Sequence, residues 1–190
     1  MATSFAPEPI RKQVVEAFSD AEAPAYAQFG TTDAEGNSQI RTVHFHYLSE
    51  LDVLAFNAHV RSPKWAHLKA NPKASGCYFD TKRLIQFRFE AEACCFADGG
   101  GHDPLLDSMW AKIRPDVRAA YWEDQSSSSF DVDRRCSTLG VIVLQPTLWD
   151  ICTIAMEDYR KGRRVLYRNR KGVWSEERVS LLHGEAPPSR

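Results

Sequence analysis

The sequence predicts a mainly β protein, a barrel with attached helices, and three observations predict it. Short runs of alternating or continuous apolar residues recur from Tyr26 to Trp174, each bounded by turn residues. Helical spacing, by contrast, is confined to residues 8–18, a segment after Ser62 and a segment after Asp103. No stretch of the chain repeats another. Many turn-bounded strands with few helices bury their apolar faces most readily by closing a sheet on itself and laying the helices against it.

In chain order, Ile10, Val14, Val15 and Phe18 recur at helical intervals behind a proline-rich start, which predicts an N-terminal amphipathic helix. Tyr26 to Thr32 reads as a first strand, and Asp33-Ala34-Glu35-Gly36-Asn37 supplies turn chemistry. The next strand opens on Arg41, with Val43, Phe45 and Tyr47 alternating with Thr42, His44 and His46, and Val53 to Phe56 reads as its partner. Ser62 can cap a helix, Pro63 suits the first helical position, Trp65 and Leu68 share a face, and Asn71-Pro72 stops the helix. Ala74 to Phe79 forms another strand. After a turn at residues 80–83, Gln86, Arg88, Glu90 and Glu92 alternate with Ile85, Phe87, Phe89 and Ala91 on a long strand.

Further on, Asp98-Gly99-Gly100-Gly101-His102 has the glycines of a phosphate loop without its lysine or its spacing, and reads as a flexible connection. Asp103-Pro104 starts a helix whose Leu105, Leu106, Met109, Trp110 and Ile113 form an apolar face, and Arg114-Pro115 begins a second helical piece through Val117 and Tyr121. Residues 123–135, with serines from Ser126 to Ser129, read as a mobile loop first and a substrate lid second. Thr138 to Leu144 is a strand that Gln145-Pro146 is expected to stop, with Leu148 to Met156 as its partner. Val165 to Asn169 and Val173-Trp174 make a closing hairpin about Arg170-Lys171-Gly172, and the last residues, 184–190, are expected to be disordered.

The 190 residues suffice for one domain, and a composition of 43% hydrophobic and 26% charged residues is that of a soluble globular protein. A net charge of -1 argues against broad nucleic-acid binding. No apolar run is long enough to span a membrane, and the N-terminus lacks the apolar core of a signal peptide, so a cytoplasmic location is expected. The 5 cysteines include no C-x-x-C pair and suggest neither a disulfide framework nor a zinc knuckle. Most are expected to be small buried residues.

Two constellations carry possible chemistry. At the start of the short helix, free backbone N–H groups, the Ser62 hydroxyl and the cations of Arg61 and Lys64 would converge, with Arg41 brought in from a neighbouring strand, and a phosphate would fit there. On residue types alone, an ordinary capped helix with solvated cations is the favoured reading. His44 and His46 project from one strand face and could chelate a transition metal, as H-x-H does in cupin-like β-barrels. Such a site wants a third histidine and a carboxylate, whereas His59 and His67 are expected in a loop and a helix. The plainer reading is a pair of histidines on a half-exposed strand.

The order R-T-V on a strand, R-S-x-K at a helix start, N-P, and R-x-x-Q-F-R on a long strand resembles the pyridoxamine 5′-phosphate oxidase-like family of FMN-binding split β-barrels, over residues 27–96. The resemblance implies a mainly β (α+β) fold, a six-stranded antiparallel split β-barrel with flanking helices. It also implies FMN at a homodimer interface and an oxidoreductase acting on a small-molecule substrate. Residue by residue, it sets Arg41, Ser62 and Lys64 on the FMN phosphate and the Thr42 and Val43 backbone beside the isoalloxazine. Asn57 and Ala58 make further flavin contacts, and His46 stands where the family has a lysine or arginine close to the ring. Gln86 reaches the flavin held mainly by the partner subunit. Arg160 falls at a substrate position and Arg164 at a cofactor position.

In the oxidase that makes pyridoxal phosphate, however, a histidine stands where this chain has Gly162. A flavin-covering tryptophan there is replaced by Cys152, with Trp149 nearby as a partial stand-in. These departures argue against vitamin B6 oxidation. No catalytic acid or base is singled out, and a non-catalytic flavin-binding protein is the competing reading.

Overall fold

A computed structural model describes residues 4–19, 24–97, 103–123, 125–126, 128 and 130–181. The glycine run 98–102 and the C-terminal residues 184–190 lie outside them. The strands are β1 (Tyr26–Thr32), β2 (Ser38–His44), β3 (His46–Leu48), β4 (Val53–His59), β5 (Lys73–Asp80), β6 (Ile85–Ala97), β7 (Leu139–Thr153), β8 (Arg163–Arg170) and β9 (Val173–Val179). The helices are α1 (Glu8–Ser19), α2 (Pro63–Ala70), α3 (Pro104–Lys112) and α4 (Pro115–Arg118).

All nine strands belong to one antiparallel sheet, in the order β2-β1-β5-β6-β7-β4-β3, with β8 beside β7 and β9 beside β8. Its two end strands are a single stretch of chain interrupted only at Phe45. Residues 38–44 pair with β1, and residues 46–48 pair with β4 at the opposite end of the sheet. The ladder is therefore not closed by hydrogen bonds, yet the chain itself joins the two ends. With β2 and β3 taken as one bent strand, β1 to β7 supply the six strands expected of a split barrel, and β8–β9 add a hairpin. That hairpin turns on Lys171 and Gly172, whose φ values of 54° and 88° match the right-handed twist of the strands they join.

Period-two alternation fills the barrel with aromatic rings. Phe29, Phe45, Phe56, Phe87, Phe89 and Trp149 all point inward and meet mostly edge to face. Helix α1 inserts Phe18 among them, against Phe45, Phe87 and Trp149, and buries Ile10, Val14 and Ala17 beside it. Each such side chain contributes about 1.5–3 kcal/mol by leaving water. Arg11 and Tyr47 fasten the helix by hydrogen bonds to Asp52. Burial alone would raise the Asp52 pKa, but these donors hold the carboxyl below its ordinary value. On the other face of β7 and β4, α3 packs Leu106, Met109 and Trp110 against Ala55, Val141 and Val143. Asp103 caps this helix through the amides of Leu105 and Leu106.

The structure corrects four expectations. β7 runs unbroken through Pro146, because β4 pairs with it only as far as Leu144 and β8 begins at Leu148. The proline thus sits where one edge of the strand changes neighbours, and the β6 ladder on the other edge is irregular beside it, between Glu90 and Ala91. β4 continues to His59, which is therefore a strand residue and not a loop residue. Trp149 is 0% exposed and donates its indole N–H to Phe5 O at 2.9 Å, so it belongs to the core and cannot cover a ligand. Of the cysteines, Cys136 alone is buried; all 5 are free thiols. The described residues of 123–135 form turns, with neither helix nor strand among them. Among the described residues, no helix is long and apolar enough to cross a membrane.

Helix α2 is seated by a glycine. A Cβ built on Gly140 of β7 would lie 2.3 Å from Cζ3 of Trp65, so the indole rests directly on bare backbone. Gly140→Ala is expected to push Trp65 off the sheet and destabilise the protein by about 1–3 kcal/mol, the usual cost of overpacking. Thermal denaturation checks this. An unchanged melting temperature would mean that the ring is free to slide.

Candidate anion and cofactor site

The bend at Phe45 opens a seam. β4 is paired with β7 along residues 54–59, but on its other edge β3 accompanies it only along residues 53–55. Beyond Ala55 the neighbouring chain is β2, which has turned away to pair with β1. Thr42 and Val43 on one side and Asn57 and Ala58 on the other flank this seam. Val43 and Ala58 are buried; Thr42 faces outward and accepts a hydrogen bond from Gln28. Asn57 turns toward the helix layer, where Nδ2 makes a long contact of 3.4 Å to Met109 O, while Oδ1 is buried without a partner.

At one end of the seam Arg41 points inward on the face shared with Val43 and Phe45. Its Nη1 donates to Thr31 Oγ1 at 2.7 Å and to Phe29 O at 3.3 Å. Helix α2 covers this end and brings Lys64 close enough for the two cations to feel each other. Burial lowers the pKa of Arg41; burial, and then the charge of Arg41, lower that of Lys64. Among the described residues no carboxylate pairs with either.

Ser62 occupies the N-cap position of α2, yet its side chain makes no capping bond, and Oγ is a buried oxygen without a partner. The amides of Trp65 and Ala66 instead reach Ser62 O, and Pro63 has no N–H. Side chains, more than a fan of free amides, are thus what this helix start offers an anion. Arg61 does not converge on the site. It is 71% exposed at its side chain and pairs with Glu123 at 2.6 Å.

The donor set fits a phosphate. Two partly buried cations lie together with no counter-charge among the described residues, an arrangement that costs the apo chain free energy. An orphaned hydroxyl lies on the same helix start, and a dianion would satisfy all three by charge-assisted hydrogen bonds. The phosphate of FMN is such a dianion.

Toward the other end of the strand run, His44 and His46 meet with ring centroids 4.0 Å apart, and Tyr26 lies on His44 at 4.9 Å. They line a cavity of about 540 Å³ with Phe18, Phe45, Tyr47 and Lys112. Burial, and then the neighbouring His44 and Lys112, lower the His46 pKa from 6.5 to about 4. His46 is therefore neutral at physiological pH and does not reproduce the cation that the resemblance puts here. Among the described residues no third histidine, cysteine or carboxylate completes a metal site with this pair. His67 is held by Thr31, and His59 lies against Tyr121.

The remaining candidates lie elsewhere. Gln86 is on the outward face of β6 with Arg88 and Glu90, across from Cys152. Arg88 pairs with Asp150 of β7, which is 5% exposed, and Arg164 grips the same carboxylate through Nε and Nη2 at 3.0 and 2.9 Å. Arg88, Glu90, Asp150 and Arg164, but not Gln86, border an open groove of about 890 Å³ across β1, β5, β6, β7 and β8. Arg160 is 90% exposed at its side chain and is held by Asp158. At Gly162 an added Cβ would lie 2.8 Å from Leu181 Cδ2 and 3.0 Å from Thr153 O, so the backbone here leaves little room for an imidazole. The structure therefore gathers Arg41, Ser62 and Lys64, with Thr42, Val43, Asn57 and Ala58 along the adjoining seam. Gln86, Arg160 and Arg164 do not join them within one chain. Thr31 and His67 were not expected at the phosphate end. The available signal was the inward series Ala27, Phe29, Thr31, which puts a polar residue at a core position.

The chain is thus a split-barrel domain with two partly buried cations, Arg41 and Lys64, at its open seam. Residues 8–97 match the family model described as pyridoxamine 5'-phosphate oxidase, FMN-binding domain, so the resemblance read from the sequence is borne out. Solved structures share the fold. A pyridoxamine 5'-phosphate oxidase-related, FMN binding protein from Nostoc punctiforme superposes with a TM-score of 0.71 at 21% identity, covering 90% of this chain and 91% of that one. PhzG from Burkholderia lata, in complex with tetrahydrophenazine-1-carboxylic acid, gives 0.63 at 17% identity, covering 82% of each chain. An F420 reductase gives 0.50 at 18%, covering 76% of this chain and 98% of that one. At these identities the likeness is one of fold. No curated protein sequence matches the chain.

The His46 environment carries a pH prediction. A histidine whose pKa falls from 6.5 to about 4 on folding binds its proton more readily in the unfolded chain, so its stabilising contribution, whole above pH 6.5, is lost as pH falls toward 4. His46→Gln is expected to flatten the decline in melting temperature over that window. NMR titration of the wild-type ring should give an inflection near pH 4; one near 6.5 would refute the buried, neutral ring.

Proposed function

We propose that the chain is an FMN-dependent oxidoreductase acting on a small molecule in the cytoplasm, with the flavin at the interface of a homodimer. The observation that carries this reading is the orphaned Ser62 hydroxyl at a helix start beside two half-buried cations, Arg41 and Lys64, that have no carboxylate partner among the described residues. Arg41, Ser62 and Lys64 would hold the phosphate, and Thr42, Val43, Asn57 and Ala58 would flank the ring. Asn57 Oδ1, a buried acceptor lacking a donor, suits a ring N–H. FMN, when bound, supplies the hydride chemistry that no side chain can.

His46 is close to the ring on this reading and contributes an uncharged imidazole. Gln86, and Arg164 with it, would approach the partner's flavin from the outward face of the sheet, and Arg160 would meet substrate. A substrate other than pyridoxamine phosphate is favoured, because Gly162 offers no imidazole and Cys152 no indole. The names of the similar structures, which span an FMN binding protein, PhzG and an F420 reductase, support a redox role over a purely structural one.

Paired titrations test the reading. Lys64→Ala removes a charge-assisted contact worth about 1.5–3 kcal/mol, so FMN affinity should fall roughly ten- to hundredfold. Riboflavin has the same ring without the phosphate, and its affinity should hardly change. Equal losses for both ligands, or no loss for FMN, would remove Lys64 from the site. Light scattering on the FMN-loaded protein should return a dimer mass at micromolar concentration.

A further inference from the structure

We infer that Thr31 and His67 are positioning residues for FMN, holding Arg41 through a directed hydrogen-bond relay so that its guanidinium is preset for the phosphate. The inference rests on the reading of Arg41, Ser62 and Lys64 as the phosphate cradle. Arg41 Nη1 lies 2.7 Å from Thr31 Oγ1, and that oxygen lies 3.0 Å from His67 Nδ1. The three residues come from β2, β1 and α2 and share no local sequence motif.

The direction of the relay follows from what each group is able to do. A guanidinium only donates, so Thr31 Oγ1 accepts from Arg41. Thr31 is 4% exposed. Were His67 also to donate to Oγ1, the hydroxyl hydrogen would be left buried with no acceptor, which folded proteins avoid. Thr31 O–H therefore donates to an unprotonated Nδ1, and His67 carries its proton on Nε2. Threonine's branched Cβ leaves its hydroxyl few rotamers, and the helix supplies His67 three residues after Lys64, so the acceptor and the second cation move as one unit. Arg41 spends Nη1 on Thr31 and Phe29 O. Its Nε and Nη2 make no hydrogen bond among the described residues, which leaves one edge of the fork for a phosphate. An arginine so held loses less freedom when the anion arrives.

The experiment measures FMN and riboflavin affinity by quenching of flavin fluorescence, with thermal denaturation as a check on folding. Thr31→Val removes both bonds of the relay, the charge-assisted one from Arg41 and the neutral one to His67, whereas His67→Leu removes only the neutral one; FMN binding is expected to weaken roughly two- to tenfold in each, more in Thr31→Val, while riboflavin binding stays constant. Thr31→Ser keeps the hydroxyl, and His67→Asn keeps an acceptor near the position of Nδ1; both should restore FMN affinity. In an Arg41→Lys background, Thr31→Val should have little further effect, since the guanidinium it positions is gone. Equal losses for the two flavins would reduce the pair to a packing role and overturn the inference. So would unchanged FMN affinity, failure of both conservative variants to rescue, or full additivity with Arg41→Lys. Lys64→Ala, run alongside, separates the two readings. If it lowers FMN affinity selectively while the relay variants do not, only the relay fails; if it has no selective effect, the cradle fails first.

Discussion

The burial of Phe45 at the bend between β2 and β3 is the constraint on which the seam depends. Four aromatic rings, those of Phe18, Phe29, Phe56 and Phe89, close around it, and its amide reaches back to Ala25 O at 3.1 Å. With that ring fixed in the core, the residues before it must follow β1 and those after it must follow β4. A straight strand would have continued along β4 and sealed the barrel. The bend instead leaves the edge of β4 opposite β7 without a partner past Ala55 and sets Arg41 at one end of the opening and His46 at the other.

Polar frustration in this molecule is unevenly spread, and its distribution supports the reading of the seam. Asp150 is buried but answered by Arg88 and Arg164, and Asp52 by Arg11 and Tyr47. Arg41 and Lys64 have no such answer among the described residues. Among the orphaned buried polar atoms, Ser62 Oγ and Asn57 Oδ1 flank the seam, while the Trp110 and Trp122 indoles belong to the second core cluster beneath the helix layer. The carboxylates of these ion pairs are matched within the chain, although Arg88 Nε beside Asp150 is buried without a partner; a binding site holds unsatisfied groups in reserve for its ligand.

Much of the fold was legible because the signals were local. Alternation set β1 and β6, and Ser62-Pro63 with Asn71-Pro72 bracketed α2. The misreadings arose where the deciding partner was remote. Alternation from Arg41 to Tyr47 is uninterrupted, so nothing in it announces the bend at Phe45. Pro146 looks like a terminator unless one knows that β7 changes neighbours there. Ser62 is legible both as a cap and as a phosphate ligand, because helix caps and phosphate ligands draw on the same small hydroxyl residues. Whether that hydroxyl turns back to its own helix depends on what lies opposite. Thr31 and His67 meet only after β1 and α2 have docked, which no spacing rule encodes.

The two ends of the seam rest on different physics, and this has a consequence for the proposed chemistry. On the proposed reading the decisive quantity at the Arg41 end is charge: Arg41 and Lys64, whose pKa values burial lowers, would together receive a dianion. At the ring end burial has gone further, and His46 with a pKa of about 4 has lost its charge altogether. A positive group beside a flavin ring would favour the anionic reduced form; a neutral imidazole withholds that electrostatic help while still offering one hydrogen-bond donor and one acceptor. On the proposed reading, affinity and reactivity are thereby assigned to separate residues about one strand length apart. The cradle can retain FMN tightly whatever stands at position 46, and position 46 is free to set the electrostatics of the ring without loosening the phosphate.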